Sequence, residues 1–199
     1  MNIAVYCGSS PQATPCYIEA ATALGRWIGS NGHRLVYGGS AIGLMGAVSR
    51  ATLDAGGEVV GVEPGFFIEA GVAQHDLTEL IVVDTMAERK AKMIELADVF
   101  VALPGGVGTL EEISEVMSLM RLGMEPGPCY LLNLNGFYEG LRTLIGAMVD
   151  AAFLDEPDRD RVWFPGTVEE LAGCLGAHRL PEGGKPCRPV VPESNCPIG

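Results

Sequence analysis

A chain of 199 residues that is 48% hydrophobic can bury one substantial core, so a single domain is expected. Its formal charge of −12 argues against a surface made for nucleic acid or an anionic membrane, so any phosphate must be held by backbone dipoles and a few local cations. Cys7, Cys16, Cys129, Cys174, Cys187 and Cys196 lie far apart without a C-x-x-C pair, and with 3 histidines they form no metal-ligand cluster. The expectation is a reduced, cytoplasmic protein without metal or other cofactor: the N-terminus enters a strand with no basic signal segment, and no apolar run reaches membrane-spanning length.

In chain order, a strand near 2-6 runs into the loop Cys7-Gly-Ser-Ser10, where Gly8 and Ser9 are candidate ligand contacts. A helix near 14-30 and a strand near 34-37 lead to the loop Gly38-Gly-Ser-Ala-Ile-Gly-Leu-Met-Gly46, with Gly38 and Gly39 as candidates, and to a helix near 43-55. Strands near 58-62 and 79-84 follow, then a helix near 85-97 opened by the capping box Thr85-x-x-Glu88. A strand near 99-103, a helix near 109-123, a strand near 129-134 and helices near 137-152 and 167-176 complete the series. Alternating strands and helices, with strands such as Val99-Phe-Val-Ala-Leu103 apolar throughout, predict an α/β fold: a Rossmann-like doubly wound parallel sheet with helices on both faces. That domain is expected to span 1-178. From residue 179 five prolines forbid regular structure and make 179-199 an extended arm or a loose end.

Right-handed crossovers bring the strand-to-helix loops to the carboxyl edge of the sheet, where open α/β folds bind ligands. The richest of them is Pro104-Gly-Gly-Val-Gly-Thr109. Gly105, Gly106 and Gly108 let backbone N–H groups close on an anion, and Thr109 is placed as the N-cap of a helix whose positive end favours phosphate. The same glycines would also serve a tight turn with no ligand. Neither glycine loop ends in the Gly-Lys-Ser/Thr of a triphosphate-binding loop, and Glu111 stands where a dinucleotide fingerprint has its third glycine. Glu112 completes a capping box with Thr109, or it is a catalytic base at the ligand edge. Arg89 falls on the apolar stripe of its helix between Leu96 and the pair Met86 and Met93, so its guanidinium needs an anionic partner, either Glu112 or a bound phosphate. Lys90 projects about 100° further round, toward the ligand's rim. Three histidines stay outside this set: His33 and His178 read as solvent-facing and His75 as loop surface. On the helix near 109-123, Leu110, Ile113, Val116, Met117 and Met120 form the stripe expected to pack on the sheet, whereas Leu119 and Leu122 form a second apolar edge expected to bury itself in a homodimer.

Met86-Ala-Glu-Arg-Lys-Ala-Lys-Met93 followed by Pro104-Gly-Gly-Val-Gly-Thr-Leu-Glu-Glu112 resembles the signature pair of the LONELY GUY (LOG) family, and Tyr6-Cys-Gly-Ser-Ser10, Tyr37-Gly-Gly39, Gly43-Leu-Met-Gly46 and Leu132-Leu-Asn-Leu-Asn-Gly-Phe-Tyr138 match in order. The resemblance implies hydrolysis of the N-glycosidic bond of AMP or an N6-substituted, cytokinin-type nucleoside 5′-monophosphate to free base and ribose 5-phosphate, by a homodimer without cofactor. It casts Arg89 and Glu112 as the catalytic pair. It casts Gly8, Ser9, Gly38, Gly39, Met86, Lys90, Pro104, Gly105, Gly106, Val107, Gly108, Thr109 and Glu111 as substrate- or phosphate-binding. The chain departs from the family at Gly71-Val-Ala-Gln-His75, where a base-pocket Glu is missing and Glu69 is the available substitute, and at Glu63, which replaces a usually apolar residue. Two rivals use the same loops: a nucleotide or molybdenum-cofactor carrier of related fold, and a lysine decarboxylase, which would need a Schiff-base lysine.

Overall fold

The computed structural model describes residues 1–124 and 126–177. Strands β1 (Asn2–Tyr6), β2 (Arg34–Tyr37), β3 (Glu58–Pro64), β4 (Glu79–Val83), β5 (Val99–Ala102), β6 (Cys129–Leu131) and β7 (Val162–Trp163) form one sheet in the order β4-β3-β2-β1-β5-β6-β7. Every pairing is parallel, and the order reverses beside β1. That reversal is the switch point where doubly wound sheets open a ligand crevice.

The helices are α1 (Pro15–Ser30), α2 (Gly43–Asp54), α3 (Gly65–Glu69), α4 (Met86–Leu96), α5 (Val107–Arg121), α6 (Glu139–Asp150), α7 (Glu156–Arg159) and α8 (Val168–Ala177). Side chains alternate across the sheet: Ile3 and Val5 of β1 enter a core with α1, α2 and α8, and Ala4 and Tyr6 enter one with α4 and α5. Both faces of the central strands are therefore dry, which is why their sequences are apolar without alternation.

The expected strands and long helices are present, with two boundary corrections and three short additions. β6 stops at Leu131 and passes through a 3-10 turn, Leu134–Gly136. β7, α3 and α7 are too short to leave a periodic signal. α5 begins at Val107, two residues before the expected start, with Gly106 as its N-cap. Two side-chain expectations change as well. Leu110 is 43% exposed rather than packed on the sheet, because the stripe centres on Ile113, Val116 and Met120 and leaves Leu110 about 90° off its axis. Thr109 takes that place in the core. His33 is half-buried against the Trp27 ring, with centroids 5.2 Å apart, rather than facing solvent. His178, the end of the expected domain and the proline-rich tail lie outside the described residues.

Candidate active site

The first turn of α5 is left open at the carboxyl edge. Its first intrahelical bond runs from Leu110 N–H to the Gly106 carbonyl, and no side chain caps Gly106, so the N–H groups of Val107, Gly108 and Thr109 have no acceptor within the helix. Gly106, Val107 and Gly108 are exposed, and together with the helix dipole they offer a phosphate-sized anion a ready set of donors.

Thr109 is the third residue of the helix rather than its N-cap, so the expected Thr109–Glu112 capping box does not form. Its side chain is buried beneath Gly105, where an added Cβ would stand 2.7 Å from the Thr109 Cβ. Gly105→Ala should therefore keep the fold but displace Thr109 and distort the turn. We expect the affinity for inorganic phosphate to fall about tenfold, as calorimetry alongside circular dichroism would show.

Arg89 reaches the site from α4. The predicted box at Thr85 is real on one side, its hydroxyl accepting from Glu88 N–H at 3.1 Å, whereas Glu88 Oε2 accepts from Asp84 N–H at 2.9 Å, one residue ahead of the cap. Arg89 is only 6% exposed. Its Nε donates to the Val62 carbonyl at 3.2 Å and its Nη1 lies 3.4 Å from Glu112 Oε1. The Nη2 edge of the guanidinium abuts Gly38, where a Cβ would sit 2.8 Å from Cζ and overlap Nη2. Met86 touches it through sulfur at 3.8 Å.

Glu112 is 4% exposed, and burial pushes its carboxyl up to about 7, with Arg89 pulling the other way and Glu111 and Glu115 adding to the rise. A carboxylate poised near neutrality beside a fixed guanidinium can stabilise developing positive charge or take a proton from water.

The remaining expected contacts separate into two groups. Gly8 spends its backbone on structure: its N–H donates to Pro104 O at 3.2 Å and its carbonyl accepts from Leu44 and Met45 N–H, tying three loops together. Ser9 is exposed beside it. Lys90 donates to Glu111 and is bridged to Glu115 Oε2 at 3.1 Å, so Lys90 and Glu111 stand at the rim engaged with each other. That bond to Glu111 holds the Lys90 ammonium above its usual range. Gly39 takes φ +82 and continues the turn.

Two residues at this edge escaped the candidate set. Gln74 is buried and accepts from the Tyr37 hydroxyl at 3.2 Å and from the Ser49 hydroxyl. Its own N–H donates to Gly39 O at 2.8 Å, and Ala41 N–H donates to Val72 O at 2.8 Å, so residues 72–74 clasp the glycine turn. Glu63, the penultimate residue of β3, lies under that clasp, 2% exposed. Its signal in the sequence was a charge closing an apolar strand at the ligand edge. Glu69, the substitute offered from sequence, is exposed at the end of α3, and His75 is exposed on its loop as expected.

Comparison with known proteins gives a consistent frame. A family model described as possible lysine decarboxylase matches residues 45–175. A cytokinin riboside 5′-monophosphate phosphoribohydrolase of Rhodococcoides fascians is 43% identical over 181 residues, which is 90% of either chain. Its counterpart from Arabidopsis thaliana is 41% identical, covering 89% of this chain and 78% of its own. Among solved structures, a molybdenum cofactor carrier protein of Chlamydomonas reinhardtii aligns with TM-score 0.69 at 21% identity over 88% of this chain and 95% of its own, a likeness of fold.

Proposed function

This chain belongs to the LONELY GUY family of phosphoribohydrolases, and from that premise we propose that it hydrolyses AMP or an N6-substituted adenosine 5′-monophosphate with Arg89 and Glu112 as its catalytic pair. The observation that carries the assignment is the buried contact of 3.4 Å between Arg89 and Glu112 beside the open N-terminus of α5. The phosphate docks on the N–H groups of Val107, Gly108 and Thr109. As the glycosidic bond breaks, its electron pair leaves with the base and the ribose gains cationic character that Glu112 stabilises. Glu112 then takes a proton from the attacking water, whose hydroxyl joins the anomeric carbon, and the departing base gains a proton. Arg89 fixes the Glu112 carboxylate and faces the ribose phosphate.

Nucleotide hydrolysis and the deeply buried thiols of Cys7 and Cys129, both pushed above their usual range by burial, suit the reducing cytoplasm. The decarboxylase label does not fit the motif lysines, because a Schiff-base amine must lose its proton, whereas Lys90 is held charged by Glu111 and Lys92 is bridged to Glu95 at 2.9 Å. The test is incubation with a panel of nucleoside monophosphates and chromatography of the products. Release of adenine or an N6-substituted adenine with ribose 5-phosphate is expected, and its absence from the whole panel overturns the reading.

The protein is further proposed to be a homodimer through the outer edge of α5. Leu122 is 69% exposed and Met124 67%, with Leu119 half-buried one turn before Leu122, apolar side chains that a second copy would cover. Leu122→Asp should convert a dimeric wild type into monomers in light scattering. A variant that remains dimeric removes this edge from the interface.

A further inference from the structure

The strand ends at the carboxyl edge stand in register. Tyr37 pairs with Gly61, Val5 with Tyr37 and Tyr6 with Ala102, so two residues beyond Tyr37 the row runs Glu63, Gly39, Cys7, Leu103 from β3 across to β5. Three strand spacings separate its ends by about 14 Å. That is the scale of an extended nucleoside monophosphate from phosphate to the far edge of the base. With phosphate on the α5 turn and ribose beside Arg89 and Glu112, the base lies over Gly39 and meets Glu63.

Glu63 is prepared for a partner that the folded chain does not supply. Its Oε2 is buried and has no hydrogen-bond partner. The side chain lies against Gly39, where a Cβ would stand 2.7 Å from Oε2 and 2.8 Å from the Glu63 Cβ, so only a glycine there leaves room for the Glu63 carboxyl. Arg89 is near, yet the bonds it makes go to the Val62 carbonyl, Glu112 and the Met86 sulfur, and none to Glu63. At 2% exposure Glu63 is as closed off as the pair beside it, Glu112 at 4% and Arg89 at 6%. A closed-off oxygen without a donor destabilises a fold, and a donor carried in by the ligand removes that cost.

Resting on the phosphoribohydrolase reading, we propose that Glu63 is a specificity-determining residue whose free carboxyl oxygen accepts the N–H of the amino group at the purine 6-position. The substrate class is then a 6-aminopurine nucleotide that keeps at least one N6–H. AMP and N6-monosubstituted AMP satisfy it. Purine riboside 5′-monophosphate, which lacks the amino group, and N6,N6-dimethyl-AMP, which lacks the hydrogen, do not. An apolar residue here would be indifferent to that hydrogen.

The test compares AMP with purine riboside 5′-monophosphate in wild type and Glu63→Ile, by kcat/KM and by calorimetric dissociation constants. The wild type should prefer AMP about 10- to 100-fold, and Glu63→Ile should bring the ratio to within about threefold of unity. A ratio unchanged by Glu63→Ile overturns the proposal. Should Glu63→Ile fail to fold, wild-type binding decides: equal affinity for AMP and N6,N6-dimethyl-AMP overturns it, and discrimination against the dimethyl nucleotide supports it. A wild type that binds these nucleotides with the expected preference but releases no base retains the proposal for Glu63 and removes the hydrolase reading.

Discussion

Glu112→Gln should fold normally and lose about a thousandfold in kcat, with nucleotide binding retained. Gln keeps the shape of the side chain and an oxygen for Arg89 Nη1, but it can neither stabilise a sugar cation as an anion nor accept a proton. In the wild type, ionised Glu112 is the active form, so kcat/KM should climb as pH rises through about 7 and the variant should lose that limb. Stability gives an independent reading of the same group. Its folded carboxyl titrates well above the usual 4.5, so its contribution is fully present below about 4.5 and is lost as pH rises through about 7. The loss is on the order of 3 kcal/mol at pH 8. Thermal melts should therefore match at low pH and separate at pH 8, with Glu112→Gln the more stable. Near-wild-type turnover in the variant would end the catalytic assignment.

The second large effect is expected without touching a charged residue. Gly38→Ala places a methyl group where the Arg89 guanidinium lies, and Gly38 shows no positive φ that would itself resist alanine. The guanidinium must leave its position beside Glu112, so turnover should fall about 100-fold or more. Arg89→Lys should fail similarly, since a point charge replaces a fork that spans the Val62 carbonyl and Glu112. Steady-state rates of both variants, beside spectra showing an intact fold, decide the matter. Wild-type rates in Gly38→Ala would mean that the Arg89–Glu112 geometry is dispensable.

The fold was legible because its strands are apolar on both faces and its long helices carry clear stripes. The Arg89–Glu112 contact was legible as one of two alternatives, since a guanidinium on an apolar stripe demands an anion. What stayed hidden depended on backbone geometry. Thr109 looked like a cap because capping boxes are read from spacing, yet Gly106 can terminate the turn in an extended conformation three residues earlier. Gly8 looked like a phosphate contact, but its N–H and carbonyl are consumed by other loops, which spacing cannot reveal. Glu63 was visible only as an anomaly, because its unpaired oxygen is a fact of three dimensions.

The clasp over the glycine turn is made by main-chain groups, Ala41 N–H to Val72 O and Gln74 N–H to Gly39 O. Any amino acid except proline supplies the same donors, so the exposed side chains of His75 and Asp76 are free to vary while the turn keeps its shape, whereas buried Gln74, tied to Tyr37 and Ser49, is not. Mutational drift in that loop can thus remodel the wall around the base without disturbing the machinery that breaks the bond. Such an arrangement lets substrate preference change without a change in reaction chemistry.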